Sequence, residues 1–245
     1  MPAIFEKLKK RGFDVEVLHH AEAILLHDMP QALVELEGAL LELQIPVLEL
    51  VQGGGGEALV TQRLRRQLAE LGWEKHNFVI KRTVDGIEKE SRSHEIDHVK
   101  NFSRGTVALE IEWNNKDPFF DRDLENFKTL HAEGAVSVGG IITRGRSLHQ
   151  KMRDILRQFA LNEEIDSVQD LARFELEPTR RQTGLYETAA KSKGEFAAGW
   201  AHAFVADKFG EATTHWSKLE DRIRRGVGNP CPLVLIGIPD SVIVI

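Results

Sequence analysis

The chain has 245 residues, of which 42% are hydrophobic and 29% charged, and its net charge at pH 7 is −6. This composition excludes a disordered chain, and the acidic balance argues against a histone-like protein that binds DNA by charge alone. The single cysteine, Cys231, excludes an intrachain disulfide and a zinc–thiolate cluster. The single cysteine makes a reducing cytoplasm the expected location, and no membrane partner is expected because no apolar run reaches the ~18 residues of a membrane span.

The first predicted elements are helices. Pro30 suits the first turn of a helix over about 30–44. An apolar segment and four glycines at 53–56 then precede a second helix over about 57–71. The glycine run lacks the G-K-[ST] ending of a nucleotide-binding phosphate loop, so ATP is not expected. A flexible joint is the expected role of these glycines, and close approach of their backbone to DNA is the alternative.

Beyond residue 72 the hydrophobic pattern becomes that of strands, which alternate with helices. Asp121 and Asp123 fall at the start of one helix, where carboxylates suit the positive end of the helix dipole. This order predicts an α/β (α+β) fold, a mixed central β-sheet flanked by helices, in a single domain over 1–245. The predicted strands cover about 78–82, 91–99, 106–113, 135–143 and 233–238, and the predicted helices about 121–133, 147–160 and 213–226.

Three acidic residues are placed to meet at one edge of the predicted sheet. Glu110 and Glu112 lie two apart in one strand, so their side chains share a face. Asp97 ends the preceding strand, and the following loop brings the chain back beside Glu110. Because close carboxylates repel one another, their convergence predicts a bound cation, and hard oxygen ligands favour Mg²⁺ over zinc. Asp97, Glu110 and the Ile111 carbonyl would hold it in an arrangement suited to phosphodiester hydrolysis.

Other interpretations of these residues stay open at this point. Alternating acidic residues on a strand are often only its solvated face, and the polar run 114–117 is typical of a turn. Glu110 and Glu112 are also separated by roughly 7 Å in strand geometry, as in an inverting glycosidase. A sugar site usually needs more aromatic side chains than the 7% found in this chain.

The stretch SHEIDHVKNFSRGTVALEIEWNNKDPFFDRDLENF, residues 93–127, resembles the metal-dependent nuclease superfamily with the signature PD-(D/E)-x-K. Within that superfamily the chain is similar to type II restriction endonucleases of the BglII, BstYI and BamHI branch. The similarity extends through GGGGEALVTQRLRRQLAELGW (53–73), VSVGGIITRGRSL (136–148) and PCPLVLIGIP near the C-terminus. It implies a restriction-endonuclease-like fold with a catalytic core at about 50–150 and DNA-binding or dimer elements at about 160–245.

The resemblance assigns roles to four acidic residues. Asp97 matches the first acid of the signature and Glu110 the second, and both would bind the metal; Ile96 replaces the signature proline. Glu112 stands where most of the superfamily has lysine, which is typical of this branch and implies a general base or water-positioning group. Glu57 matches an acidic or amide residue that assists the metal site, and an ordinary carboxylate at a helix N-terminus is its alternative.

The resemblance also implies a homodimer that cuts both strands of a short palindrome, with a GATC centre in several relatives, and leaves 5′-phosphate ends. A cell with such a restriction–modification system needs its own DNA protected. A catalytically decayed DNA-binding protein with the same fold is the alternative. Residues after the catalytic strand and in a later loop would contact base edges or phosphates, with a solvated polar loop as their alternative: Asn114, Asn115, Lys116, Arg122, Arg144 and Arg146.

Ten histidines raise the question of a zinc site, and His94 and His98 belong to the nearest cluster, together with His19 and His20. Because His94 and His98 lie on a predicted strand and its exit, HExxH chemistry is absent, and we expect structural roles. The arginines at 222, 224 and 225 are either phosphate contacts or the cations favoured at any helix C-terminus.

Overall fold

A computed structural model describes residues 4–52 and 56–245, so most of the predicted glycine joint, at 53–55, lies outside the described residues. The strands are β1 (Asp14–Leu18), β2 (Ile45–Pro46), β3 (Glu74–Val84), β4 (Ile87–Phe102), β5 (Gly105–Glu112), β6 (Val138–Arg144), β7 (Leu233–Ile238) and β8 (Ile243–Val244). The helices are α1 (Glu6–Lys10), α2 (Ala21–His27), α3 (Pro30–Leu41), α4 (Val47–Val51), α5 (Leu59–Glu70), α6 (Phe119–Ala132), α7 (Arg146–Asn162), α8 (Arg180–Lys193), α9 (Phe196–Lys208) and α10 (Trp216–Arg224). Short 3₁₀ helices cover Gln169–Phe174 and Asp240–Val242.

The centre of the fold is a six-stranded mixed sheet in the order β1-β7-β6-β5-β4-β3. The neighbours β5, β6 and β7 run parallel, whereas β1, β4 and β3 are antiparallel to the strands they pair with. Strands from both ends of the chain therefore complete one sheet, and β2 pairs separately with β8. The predicted α/β fold with a mixed central sheet flanked by helices is confirmed. In the described part of the chain, no helix is both long and apolar enough to cross a membrane.

Helices cover both faces of β5, which explains its nearly continuous burial. Leu109 and Ile111 pack into the larger core cluster, with residues of α3, α5 and α7. Ala108 points to the opposite face and packs with Phe127 of α6 and Leu219 of α10. Because side chains alternate along a strand, the residues two and four positions after Ala108 also belong to the face covered by α6.

The hairpin formed by β3 and β4 is longer than the sequence pattern predicts. The structure extends these strands over 74–84 and 87–102, whereas the alternation predicts only 78–82 and 91–99. Most of the added residues are exposed, so no hydrophobic alternation marks them. The helix expected from residue 57 begins instead at Leu59, which places Glu57 in the segment before α5.

Candidate active site

Two buried glutamates lie at the C-terminal end of β5, on the face covered by α6. Glu110 is 4% exposed and Glu112 is 3% exposed. The pairing of β5 with β6 continues to Glu112, but the pairing with β4 ends where His98 faces Leu109. The strands β4 and β5 therefore separate beside Glu110, and this edge of β5 is open next to the two carboxyl groups.

Asp97 lies in a β-bulge of β4, and its charge contributes to the raised pKa of Glu110. His76 pairs with Ile96 and Glu74 with Val99, so the single residue Lys75 faces both Asp97 and His98. Bulges redirect side chains and are frequent next to active sites. The Asp97 side chain is 54% exposed, and its Oδ1 atom lies 3.5 Å from the Lys75 Nζ atom. The ligand atoms of Asp97, Glu110 and Glu112 do not all lie within 4.8 Å of one another among the described residues.

The acidic residues influence one another's protonation. Burial raises the pKa of Glu110 to about 9, with further contributions from the charges of Asp123, Asp97 and Glu112. Burial and the charge of Asp123 also raise the pKa of Glu112 to about 8. The pKa of Asp123 is raised as well, chiefly by burial. Asp97, Glu110, Glu112 and Asp123 thus form one electrostatic cluster, the acidic cluster, in which Arg122 offsets only part of the negative charge of full ionisation.

The cluster fits a hard divalent cation such as Mg²⁺. All of its candidate ligands are oxygen atoms, which Mg²⁺ prefers. The Oδ2 atom of Asp123 is buried and has no hydrogen-bond partner in the part of the chain that the structure describes. Asp97, Glu110 and the Ile111 carbonyl could hold the ion at the open edge of β5, where water and a phosphate oxygen would complete its coordination.

Asp123 is the site residue that the sequence analysis missed. It is not at the helix start but in the fifth position of α6, fully buried beside Glu112. The sequence did contain a signal, because Asp123 lies three residues after Phe120 and four before Phe127, on the apolar stripe of the helix. A carboxylate on a buried stripe is rare without a partner or a functional role.

Two polar side chains hold Glu112 in place. The Asn115 Nδ2 atom donates a hydrogen bond to Glu112 Oε2 at 2.5 Å. Arg122 of α6 places its Nη2 atom 3.4 Å from Glu112 Oε1 and 2.7 Å from Asp123 Oδ1. The Arg122 side chain is 52% exposed, so its guanidinium is also open to solvent. A positive charge therefore stands beside the position at which the superfamily signature has its lysine.

Glu57 has no observed contact with the acidic cluster in the described residues. Its Oε2 atom forms an ion pair with Arg65 of α5 at 3.0 Å. Arg65 itself lies near the cluster: the pKa of His98 is lowered, mainly by burial and in small part by the Arg65 charge. The assistance of Glu57 to the metal site therefore stays a prediction.

The expected DNA contact by Arg144 is wrong. Arg144 is completely buried at the end of β6. Its Nε atom donates to the Trp113 carbonyl at 2.8 Å, and its Nη2 atom donates to the Thr214 carbonyl at 2.8 Å and to Thr213 Oγ1 at 2.6 Å. These bonds tie the segment after β5 to residues 213–214, so the guanidinium serves the fold and is not available to a base or phosphate.

The other expected DNA contacts lie at the surface or in partly buried loops. Lys116 is exposed, and Arg146 is 47% exposed with an ion pair to Glu220 at 2.6 Å. Asn114 is half-buried, and its Nδ2 atom donates to the Lys208 carbonyl at 3.0 Å. Asn115 is exposed as well, and Arg122 is 52% exposed, so four of the expected DNA contacts are open to solvent.

Arg222, whose role the sequence left undecided, and His94, for which a structural role was expected, both take structural positions. Arg222 is buried and pairs with Asp117 at 3.1 Å and with Asp121 at 3.2 Å, which joins α10 to the start of α6. The His94 Nδ1 atom lies 2.8 Å from Asn126 Oδ1 of α6. Both side chains hold α6 against its neighbours.

Comparison with known proteins gives one match that covers most of the chain. The family model described as "Endonuc-BglII: Restriction endonuclease BglII/BglIII" matches residues 13–238. This range contains the acidic cluster and all the strands of the central sheet. No curated protein matches the sequence.

Proposed function

The chain belongs to the BglII/BglIII family of restriction endonucleases, and we propose that it hydrolyses double-stranded DNA with Mg²⁺ bound at the end of β5. Membership makes it a type II site-specific deoxyribonuclease, a class that uses a divalent metal. The acidic cluster is the reason why we place the Mg²⁺ ion at the end of β5. Its four carboxyl groups interact electrostatically, although their ligand atoms do not form a group within 4.8 Å among the described residues, and two of them have a pKa above neutrality.

In the proposed site, Asp97, Glu110 and the Ile111 carbonyl hold the metal. Bound Mg²⁺ would activate a water molecule and stabilise the negative charge that develops during phosphodiester hydrolysis. The burial of Glu110 supports this assignment, because a desolvated carboxylate gains most from a cation. The effect of the Asp97 charge on the pKa of Glu110 supports the inclusion of Asp97, because it means that the two carboxyl groups lie near each other.

We assign Glu112 the task of positioning the attacking water and accepting its proton. The Asn115 amide fixes one oxygen of this carboxyl group and leaves the other near Arg122. Burial and the charge of Asp123 raise the pKa of Glu112 to about 8, so this group could accept a proton from water where it is ionised, above about pH 8 or beside a bound cation that lowers its pKa. The half-exposed Arg122 guanidinium would meet the scissile phosphate, in place of the lysine of the superfamily signature. Glu57 would act indirectly, by orienting Arg65.

Recognition is proposed to involve the surface around these residues. Lys116 and Arg146 supply exposed cations for phosphates or guanine edges, and Asn114 and Asn115 supply amides after the catalytic strand. We further propose a homodimer that reads a short palindrome with a GATC centre and leaves 5′-phosphate ends. The whole chain would form one nuclease domain, because β1 and β7 belong to the same sheet as β5.

Digestion of long unmethylated DNA with purified protein and Mg²⁺ tests this proposal. Discrete fragments are expected, and sequencing of the fragment ends gives the recognition site, the cut position and the terminal phosphates. The variant Glu110→Gln should leave the DNA intact, whereas the matched variant Glu125→Gln, an exposed glutamate of α6 paired with Lys128, should cut it. DNA that stays intact with the unaltered protein at every Mg²⁺ concentration would contradict the proposal.

A further inference from the structure

A second cluster of ligand side chains lies outside the acidic cluster, where α7 meets the segment between α9 and α10. The imidazole rings of His149 and His215 stack with centroids 3.8 Å apart and an angle of 6° between their planes. The Nε2 atom of His149 lies 3.4 Å from Glu211 Oε1, and the Nε2 atom of His215 lies 3.8 Å from Glu211 Oε2. Two ring nitrogens from different elements therefore converge on a single carboxylate.

We propose that His149, Glu211 and His215 bind a transition-metal ion of the Zn²⁺ type. Their candidate ligand atoms all lie within 4.8 Å of one another, and within the described ranges no other group of three His, Cys, Asp or Glu side chains meets this criterion. Zn²⁺ lies in the plane of each imidazole that binds it, so the two stacked rings would have to rotate out of their parallel arrangement to form the ~2.0–2.2 Å bonds that this ion makes with nitrogen and oxygen ligands.

The hydrogen bonding of the histidines supports a ligand at this place. His215 is 2% exposed, yet neither of its ring nitrogens has a hydrogen-bond partner in the described part of the chain. The Nδ1 atom of His149 is buried and unpartnered in the same way. Unsatisfied buried polar atoms cost free energy, and coordination of the His215 Nε2 atom to a metal would remove part of that cost.

The chemistry of the cluster selects the class of metal. Imidazole nitrogen binds Zn²⁺, Ni²⁺ and Cu²⁺ well, whereas Mg²⁺ and Ca²⁺ prefer several oxygen ligands. The Arg144 guanidinium is close enough to act on both imidazoles, whose pKa is lowered chiefly by burial and also by this charge. Such a positive charge disfavours a cation held by electrostatic attraction alone. The Glu211 side chain is 80% exposed, so an ion can approach from solvent.

A metal at this position would restrain residues 211–215, which hold the segment after β5 in place beside the acidic cluster. Glu211 and His215 delimit the segment 211–215, which bonds to the polar run after β5. The Thr214 backbone N–H donates to the Asn115 carbonyl at 2.8 Å, and the Asp117 N–H donates to the Ala212 carbonyl at 3.0 Å. Fixing this segment to His149 on α7 therefore fixes the backbone of Asn115, whose side chain bonds Glu112.

Titration of the metal-stripped protein with Zn²⁺ tests the site, with Glu110→Gln as the background so that the acidic cluster is altered in every sample. Calorimetry should detect one Zn²⁺ per chain, and Co²⁺ in its place should give visible absorption bands. His149→Ala and Glu211→Gln should each weaken Zn²⁺ binding at least tenfold. The control His202→Ala, an exposed histidine of α9, should leave Zn²⁺ binding unchanged.

Both test variants change side chains that reach the surface, so they are expected to fold, and circular dichroism checks this. Zn²⁺ should also slow hydrogen exchange in residues 211–215 of the Glu110→Gln protein, and His149→Ala should abolish that protection. Equal Zn²⁺ affinity in His149→Ala, Glu211→Gln and His202→Ala would overturn the proposal. Absence of any Zn²⁺ binding in the folded background protein would overturn it equally.

Discussion

Individual carboxyl groups determine the chemistry proposed for this protein. Glu110 is the clearest case, because it is 4% exposed and has a pKa of about 9, against 4.5 for an ordinary glutamate. The folded state therefore favours its protonated form. Because the pKa of Glu110 is higher in the folded state than in the unfolded state, the free energy of unfolding falls progressively as the pH rises from about 4.5 to about 9.

We predict that Glu110→Gln stabilises the metal-free protein above pH 5, because glutamine cannot ionise. The difference in the free energy of unfolding should grow with pH, by up to about 1.4 kcal/mol per pH unit, and level off near pH 9. Urea unfolding with a chelator present at pH 5, 7 and 9 measures it. The exposed control Glu125→Gln should show no such trend, and a constant difference at all three values would disprove the burial argument.

Removal of either proposed metal ligand should strongly reduce DNA cleavage but leave DNA binding intact. We expect Asp97→Ala and Glu110→Ala to lower the rate of DNA cleavage in Mg²⁺ at least ~10³-fold, because the metal would no longer be held beside the phosphate. DNA binding in Ca²⁺ should survive. Single-turnover cleavage and gel-shift assays measure the two properties. Glu95→Ala is the matched control, since Glu95 pairs with Lys75, as Asp97 does. Full cleavage by Asp97→Ala would remove this residue from the site.

At the scale of elements, Arg144 and Arg146 at the junction of β6 and α7 have different expected roles, although the sequence predicted DNA contact for both. We predict that Arg144→Ala destabilises the protein by about 3 kcal/mol or more, because it leaves a cavity and buried oxygens without donors. Arg146→Ala should change stability by less than about 0.5 kcal/mol and weaken DNA binding instead. Denaturant titrations and gel shifts compare them, and equal stability of the two variants would contradict the structural role of Arg144.

Buried strands with a continuous apolar run were predictable, and exposed or half-buried strands were not. The strand β7 was predicted over 233–238 and is found there, because it is an uninterrupted apolar run buried on both faces. The short β1, half-buried throughout, was missed for the opposite reason. The exposed parts of β3 and β4 were also missed, since their pairing comes from backbone hydrogen bonds that the side-chain pattern does not record.

At the scale of the whole molecule, cleavage of both DNA strands is the observation that tests the proposed homodimer. One chain carries one acidic cluster, so a single bound chain would nick one strand. We predict that the protein sediments at twice the mass of one chain and converts supercoiled plasmid to linear product without accumulating nicked circles. Analytical ultracentrifugation and a time course on agarose measure this. A monomer that only nicks would contradict the dimer, although not the metal site.

The sequence by itself determined the class of fold and the presence of acidic residues in a nuclease-like order. Alternating and continuous apolar patterns are local properties, and the spacing of Asp97, Glu110 and Glu112 is readable along the chain. Only the tertiary structure decided which polar groups meet. Asp123 joins Glu112, and Arg144 is buried against residues 213–214, because packing and strand order bring together residues that are far apart in the sequence.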